Sequence, residues 1–248
     1  MNRIRTMLRQ GEVPIGCFVG IYSPAIVEMA GWAGFDYVVI DNEHGAFGWD
    51  QVEEMIRAAE LTGLVPIVRV PDGGATSVLK ALDRGAAGIH VPQINTREEA
   101  EAVVAAAKFP PLGRRGAAYS VRSARYGIDQ GSGYLHRSND DGFVAVHIET
   151  PEAVRNIDGI LDAGVDLAFI GPTDLSVSAG YPDDPQHPAL LKMMDEVLAA
   201  CTRKGVPVGI MAGDADAMRR RKAWGARYIS VTFTALVGQA FRTFVRQR

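Results

Sequence analysis

Residues 41–45 read Asp41-Asn42-Glu43-His44-Gly45 and crowd two carboxylates and an imidazole into five positions. A carboxylate at 41 can orient the His44 ring and favour its cationic form, an arrangement suited to moving protons; the plainer reading is a polar turn. Arg69 ends the apolar run Val65-Pro66-Ile67-Val68. A cation there either closes a buried salt bridge or meets negative charge developing on a substrate oxygen. Glu149 and Asp174 form a second acidic pair. Two carboxylates completed by water and substrate oxygens suit a hard divalent ion, whereas acids at helix starts serve as caps. Gly171-Pro172-Thr173-Asp174 reads as a turn entering a helix, whose free N–H groups can hold a carboxylate. His147 stands two residues before Glu149 and shares its strand face, as a ligand, a donor to a ligand or a core histidine.

Other chemistries lack their residues. The lysines, Lys80, Lys108, Lys192, Lys204 and Lys222, all fall in helical patterns or at helix ends. A Schiff-base mechanism needs a lysine inside the site, so none is expected. The glycines at Gly73-Gly74 make no dinucleotide fingerprint, and there is no P-loop.

The elements that must position these groups alternate. Apolar runs suited to buried strands cover 14–20, 37–41, 65–70, 88–94, 143–149, 166–171, 207–212 and 228–234. Helical patterns separate them: Val52, Met55, Ile56 and Ala59 share one face, Thr96 with Glu99 reads as a capping box, and Thr150-Pro151 as an N-cap with its first helical residue. Eight such units predict an α/β protein with a (β/α)8 TIM barrel over 1–248 as a single domain; a doubly wound sheet is the alternative. In a barrel the chemistry gathers at the C-terminal strand ends, where most of the residues above fall. Residues 110–142 break the rhythm with Pro110-Pro111, several glycines and Arg114, Arg115, Arg122 and Arg125. Because this connection follows the fourth strand, it is expected on the active-site side.

The chain has 248 residues, 22% of them charged, with net charge −3, which points to neither nucleic acid nor an anionic membrane as partner. Cys17 and Cys201 lack metal or redox spacing and fit a reducing cytoplasm. Residues 1–10 carry three arginines and no apolar core of a signal peptide, and no run approaches the roughly 20 residues needed to span a bilayer.

Taken together, these segments resemble the HpcH/HpaI aldolase family of class II, pyruvate-type aldolases. The resemblance rests on Phe35-Asp36-Tyr37 through Gly45, Val68-Arg69-Val70-Pro71, Leu82-Asp83-Arg84-Gly85-Ala86, Val91-Pro92, Phe109 through Gly116, Ile148-Glu149-Thr150 and Phe169 through Ser176. It covers essentially the whole chain in order. It implies metal-dependent, reversible cleavage of a 4-hydroxy-2-oxo acid to pyruvate and an aldehyde. An acyl-CoA lyase of the citrate-lyase-β type and a non-catalytic 2-oxo-acid-binding protein are the alternatives. By resemblance His44 is the base, Asp41 its dyad partner, Asp83 an acid that raises its basicity, and Arg69 the enolate's support. Glu149 and Asp174 become ligands of Mg²⁺, Mn²⁺ or Co²⁺, Thr173 and Asp174 the backbone site for the substrate carboxylate, and Met211 a wall of the aldehyde pocket. The family also implies homo-oligomers, dimers that exchange the last helix or hexamers of them. It commonly has glutamine where this chain has His147.

Overall fold

The structure is a computed structural model and describes residues 2–247. Eight parallel strands close in sequence order into one barrel. They are β1 (Ile15–Val19), β2 (Tyr37–Asp41), β3 (Val65–Arg69), β4 (Gly88–Val91), β5 (Phe143–Ile148), β6 (Leu167–Ile170), β7 (Val208–Met211) and β8 (Tyr228–Thr232). The helices are α1 (Arg3–Arg9), α2 (Pro24–Trp32), α3 (Trp49–Leu61), α4 (Ala75–Asp83), α5 (Arg97–Ala107), α6 (Gly131–Asp141), α7 (Pro151–Arg155), α8 (Ile157–Asp162), α9 (Pro172–Ser178), α10 (Pro188–Lys204), α11 (Ala215–Trp224) and α12 (Phe233–Val245). This is the (β/α)8 barrel expected from the alternation. The strands are apolar on both faces because both are covered: outward residues such as Val38, Ile40, Val68 and Ile89 pack on the helices, while inward residues fill the barrel.

The inward set shows how the sequence packs a closed interior. Glycine on one strand makes room for a ring from another. A Cβ at Gly16 would lie 1.9 Å from the Tyr37 ring and one at Gly209 2.7 Å from the Phe169 ring and 3.0 Å from that of Tyr228, while one at Gly88 would meet the Phe143 backbone oxygen at 2.5 Å. With Ile4 of α1 in the same buried cluster, these rings fill the N-terminal end. The Asn2 side chain accepts from the Ile4 N–H at 2.9 Å and donates to the carbonyls of Ala87 and Asp141, which pins α1 across that end.

Local signals at the helix starts also hold. Thr96 and Glu99 form the capping box of α5, and the Thr150 side chain caps α7 with Pro151 at its first turn. The connection 110–142 requires a correction. It contains a 3-10 segment, Arg122–Gly127, and the helix α6. It follows α5, which has already returned the chain to the N-terminal strand ends, so within this chain it lies away from the active-site face. There Arg122 bonds the Arg84 carbonyl at 3.0 Å and pairs with Glu60, and Arg115 pairs with Asp83 at 2.7 Å.

Candidate active site

Asp41 ends β2, Arg69 ends β3, and the two are partners in the strand register. Arg69 donates from Nε to Asp41 Oδ1 at 2.8 Å and from Nη2 to Oδ2 at 2.6 Å. Its Nη1 stands 2.9 Å from Glu43 Oε2 in an ion pair outside good hydrogen-bond geometry. The guanidinium is buried and also packs over Phe18 at 5.3 Å. Asp41 Oδ1 further accepts from the N–H groups of Glu43 and His44, at 3.2 and 3.3 Å. Burial would raise the Asp41 pKa, but the hydrogen bonds and charge of Arg69 and the two N–H groups hold it below the ordinary value. The Gly45 N–H donates to the Asp41 carbonyl at 3.1 Å, and a Cβ at Gly45 would sit 2.2 Å from that oxygen. The Asp-Asn-Glu-His-Gly order is thus a turn folded around Asp41.

That geometry corrects the expected Asp41–His44 dyad. The Asp41 carboxylate is taken up by Arg69 and by the backbone of the turn. The His44 ring is exposed, and the carboxylate beside it belongs to Glu43, 3.9 Å from Nε2. Burial pushes the Glu43 pKa up, against the lowering charge of Arg69 and His44.

Glu149 follows the last residue of β5 and is 5% exposed. Its Oε1 accepts from His147 Nδ1 at 2.8 Å and its Oε2 from the Gln93 N–H at 3.1 Å. Gln93 reaches that position with φ of 53°, a left-handed conformation that costs a non-glycine residue about 1–2 kcal/mol. Burial favours the neutral acid, yet the hydrogen bonds from His147 and the Gln93 N–H and the charge of Arg69 together hold the Glu149 pKa low. The carboxylate leans over Gly171, where a Cβ would lie 2.6 Å from Oε1. Three residues on, Asp174 is exposed in the first turn of α9, with no hydrogen-bond or ion-pair partner among the described residues. The N–H groups of Thr173 and Asp174 belong to the orphan donors of that first turn.

The donor set fits a hard divalent cation. Glu149 is ionised, one lone pair of each oxygen is already engaged, and the rest border a cradle kept open by a glycine. Among the described residues no group of three or more His, Cys, Asp or Glu is arranged to hold a metal. The fit is therefore to an ion that takes one or two carboxylates and keeps water and substrate oxygens.

The remaining expected residues divide. Met211 ends β7, half-buried against the inward cluster. Asp83 ends α4 at the other end of the barrel, where Arg115 holds it, so one chain does not bring it to His44. A cleft of about 720 Å³ lies at that distant end and is lined by Arg115, Arg122 and Tyr126 among others. A smaller one of about 350 Å³ reaches Glu43 and Gln93. Inspection of strand ends missed His90 and Tyr228, both wholly buried in the barrel. For His90 the signal is a polar group inside an otherwise apolar strand, whereas Tyr228 opens a strand that also holds Ser230 and Thr232.

With this geometry in place, the likenesses to known proteins are extensive. The pattern of the HpcH/HpaI aldolase/citrate lyase family matches residues 14–238. A 2-keto-3-deoxy-L-rhamnonate aldolase of Salmonella gallinarum is 33% identical over 233 residues, 93% of this chain and 86% of that one. One from Escherichia coli is 34% identical over 232 residues, again 93% and 86%. Among solved structures, an HpcH/HpaI aldolase/citrate lyase family protein from Burkholderia cenocepacia superposes with TM-score 0.95 at 34% identity, covering 100% of this chain and 99% of that one.

Proposed function

The chain belongs to the HpcH/HpaI aldolase/citrate lyase family, and from that premise we propose that it is an aldolase reversibly cleaving a 4-hydroxy-2-oxo acid to pyruvate and an aldehyde. The observation that carries the reading is the pairing at one barrel mouth of a locked cation, Arg69, with an ionised, glycine-cradled carboxylate, Glu149. An aldol cleavage needs positive charge where the enolate forms, and both groups bear on that point. The 2-keto-3-deoxy sugar acids named for the relatives belong to this substrate class.

Glu149 and Asp174 hold the divalent ion, Mg²⁺, Mn²⁺ or Co²⁺, which when bound supplies Lewis-acid polarisation of the substrate's keto group. The N–H groups of Thr173 and Asp174 receive the substrate carboxylate. His44, through water, takes the proton of the C4 hydroxyl. The O–H electron pair then becomes the aldehyde C=O, the C3–C4 bond breaks, and its electrons form the enolate of pyruvate. Arg69 steadies the enolate oxygen, kept in aim by Asp41 so that little reorganisation is needed. Glu43, not Asp41, is the carboxylate that supports His44. Met211 lines the aldehyde side. In synthesis the same groups run in reverse.

Asp83 can join His44 only from a second copy of the chain. A homo-oligomer, dimer-based and up to a hexamer, is consistent with the exposed Phe241, Phe244 and Val245 of α12, the helix proposed to be exchanged. No helix among the described residues is long and apolar enough to cross a membrane. The unpaired, buried Cys17 and Cys201 fit the cytoplasm. Pyruvate release from a panel of 2-keto-3-deoxy acids tests the reading; acyl-CoA cleavage without any such release would replace it.

A further inference from the structure

Beneath Glu149 the site continues into the barrel as a line of buried side chains from three strands. His147 Nε2 stands 2.9 Å from His90 Nδ1, and His90 Nε2 stands 3.0 Å from the Tyr228 hydroxyl. His90 and Tyr228 are fully buried and His147 is 1% exposed. We propose that His90 and Tyr228 are positioning residues that act through His147 to fix the hydrogen bonding and aim of the Glu149 carboxylate. The proposal rests on the reading of Glu149 as an ion-holding group.

The argument is one of donors and acceptors. An ionised carboxylate can only accept, so His147 Nδ1 carries the proton that faces Glu149. With no second proton on the ring, Nε2 accepts and His90 Nδ1 donates to it. His90 Nε2 becomes an acceptor in turn, and the Tyr228 O–H donates. Burial, with the charge of Arg69 adding to it, holds the His90 pKa well below the ordinary value, so that ring is neutral. The reverse assignment would place a bare His147 nitrogen against the carboxylate or require an extra proton on the ring. With His147 neutral, one proton arrangement runs from Glu149 to Tyr228.

The surroundings keep the rings from turning out of line. Phe169 lies 4.9 Å from the His147 ring and 5.1 Å from that of His90, and Phe18 meets His90 edge-on at 5.6 Å. Tyr37 stacks on Tyr228 at 4.2 Å. A neutral imidazole donates from one nitrogen only, and its partner decides which. His147 thus needs His90, and His90 needs Tyr228.

Nitrogen-15 NMR of the labelled, metal-free protein reads the tautomers, and titration calorimetry with Mn²⁺ reads the carboxylate. In the unaltered chain both histidines are expected with Nδ1 protonated and Nε2 bare. His90→Leu should weaken Mn²⁺ binding about tenfold, the lower end for partners behind a metal ligand. His90→Asn, whose amide N–H can replace the lost donor, should recover most of it. Tyr228→Phe should give His90 a mixture of tautomers and shift the His147 nitrogen signals. Should His90→Leu fail to fold, the other two variants still decide the matter. A protonated His147 Nε2 in the unaltered chain, or His147 signals and Mn²⁺ affinity unmoved by these substitutions, overturns the proposal. If the unaltered chain takes up no Mn²⁺, the ligand reading of Glu149 fails, and the nitrogen signals alone decide the relay.

Discussion

Asp41 and Arg69 face each other across β2 and β3 and close two hydrogen bonds, of 2.8 and 2.6 Å. Both side chains are about nine-tenths buried. This pair fixes the cation of the site and the turn that carries His44.

Removing the acid should therefore cost stability as well as activity. Asp41→Asn leaves a buried guanidinium short of its partner, a defect worth about 3 kcal/mol. The sign of its pH dependence follows from the lowered pKa of Asp41. The stabilisation is complete above the ordinary aspartate range, about 3.9, and is lost as pH falls through the lower folded value. Urea unfolding should show the variant weaker at pH 7, with the difference shrinking in acid. A difference that grows on acidification contradicts the assignment.

His44→Ala should slow cleavage by about 10²–10⁴-fold, the usual contribution of a positioned base. Pyruvate binding should change little, because other groups hold pyruvate. Glu43→Gln should lower the rate less than His44→Ala. Equal losses of rate and pyruvate affinity in His44→Ala would count against its role as base.

Gly171→Ala tests the cradle. The added Cβ would lie 2.6 Å from Glu149 Oε1, so the carboxylate must move. The barrel should stay folded by circular dichroism while Mn²⁺ affinity drops at least tenfold, as expected when a ligand is displaced. Unchanged affinity would mean that Glu149 does not face the ion.

His147→Gln should keep substantial activity and alter the preference among Mg²⁺, Mn²⁺ and Co²⁺, since an amide can still donate to Glu149. His147→Leu should do worse, because it strips a donor from Glu149 and strands His90. Complete loss of activity in a folded His147→Gln protein would show that His147 itself binds the ion or moves the proton.

The barrel and the placement of much of the candidate site were legible because strand parity and strand ends are properties of the linear pattern. Val38, Ile40 and Ile67 announce buried strands, and Arg69, Glu149 and Asp174 stand where such strands end. The partner of Asp41 was not legible, since spacing along the chain does not say which strand ends lie opposite each other. Asp83 was misplaced for a related reason. The nine residues of α4 carry it about 13 Å back along the barrel, a length that could have been counted. The helix α6 was hidden because it buries only Tyr134 and Asn139 and shows no apolar stripe. His90 and Tyr228 stood outside the pattern of C-terminal strand ends, since His90 sits among apolar neighbours in β4 and Tyr228 is the first residue of β8.

The most direct test of the account is pyruvate release from a 2-keto-3-deoxy sugar acid, followed through chelation and metal return. Each mechanism must provide a sink for the electrons of the breaking bond, either a protonated imine on lysine or a divalent cation. The account predicts that exhaustive chelation abolishes release and that Mg²⁺, Mn²⁺ or Co²⁺ restores it. It also predicts that Glu149→Ala and Asp174→Ala each resemble the chelated protein, and that borohydride with pyruvate leaves no adduct by mass spectrometry. Full activity in chelator, or a reduced lysine adduct, would contradict it.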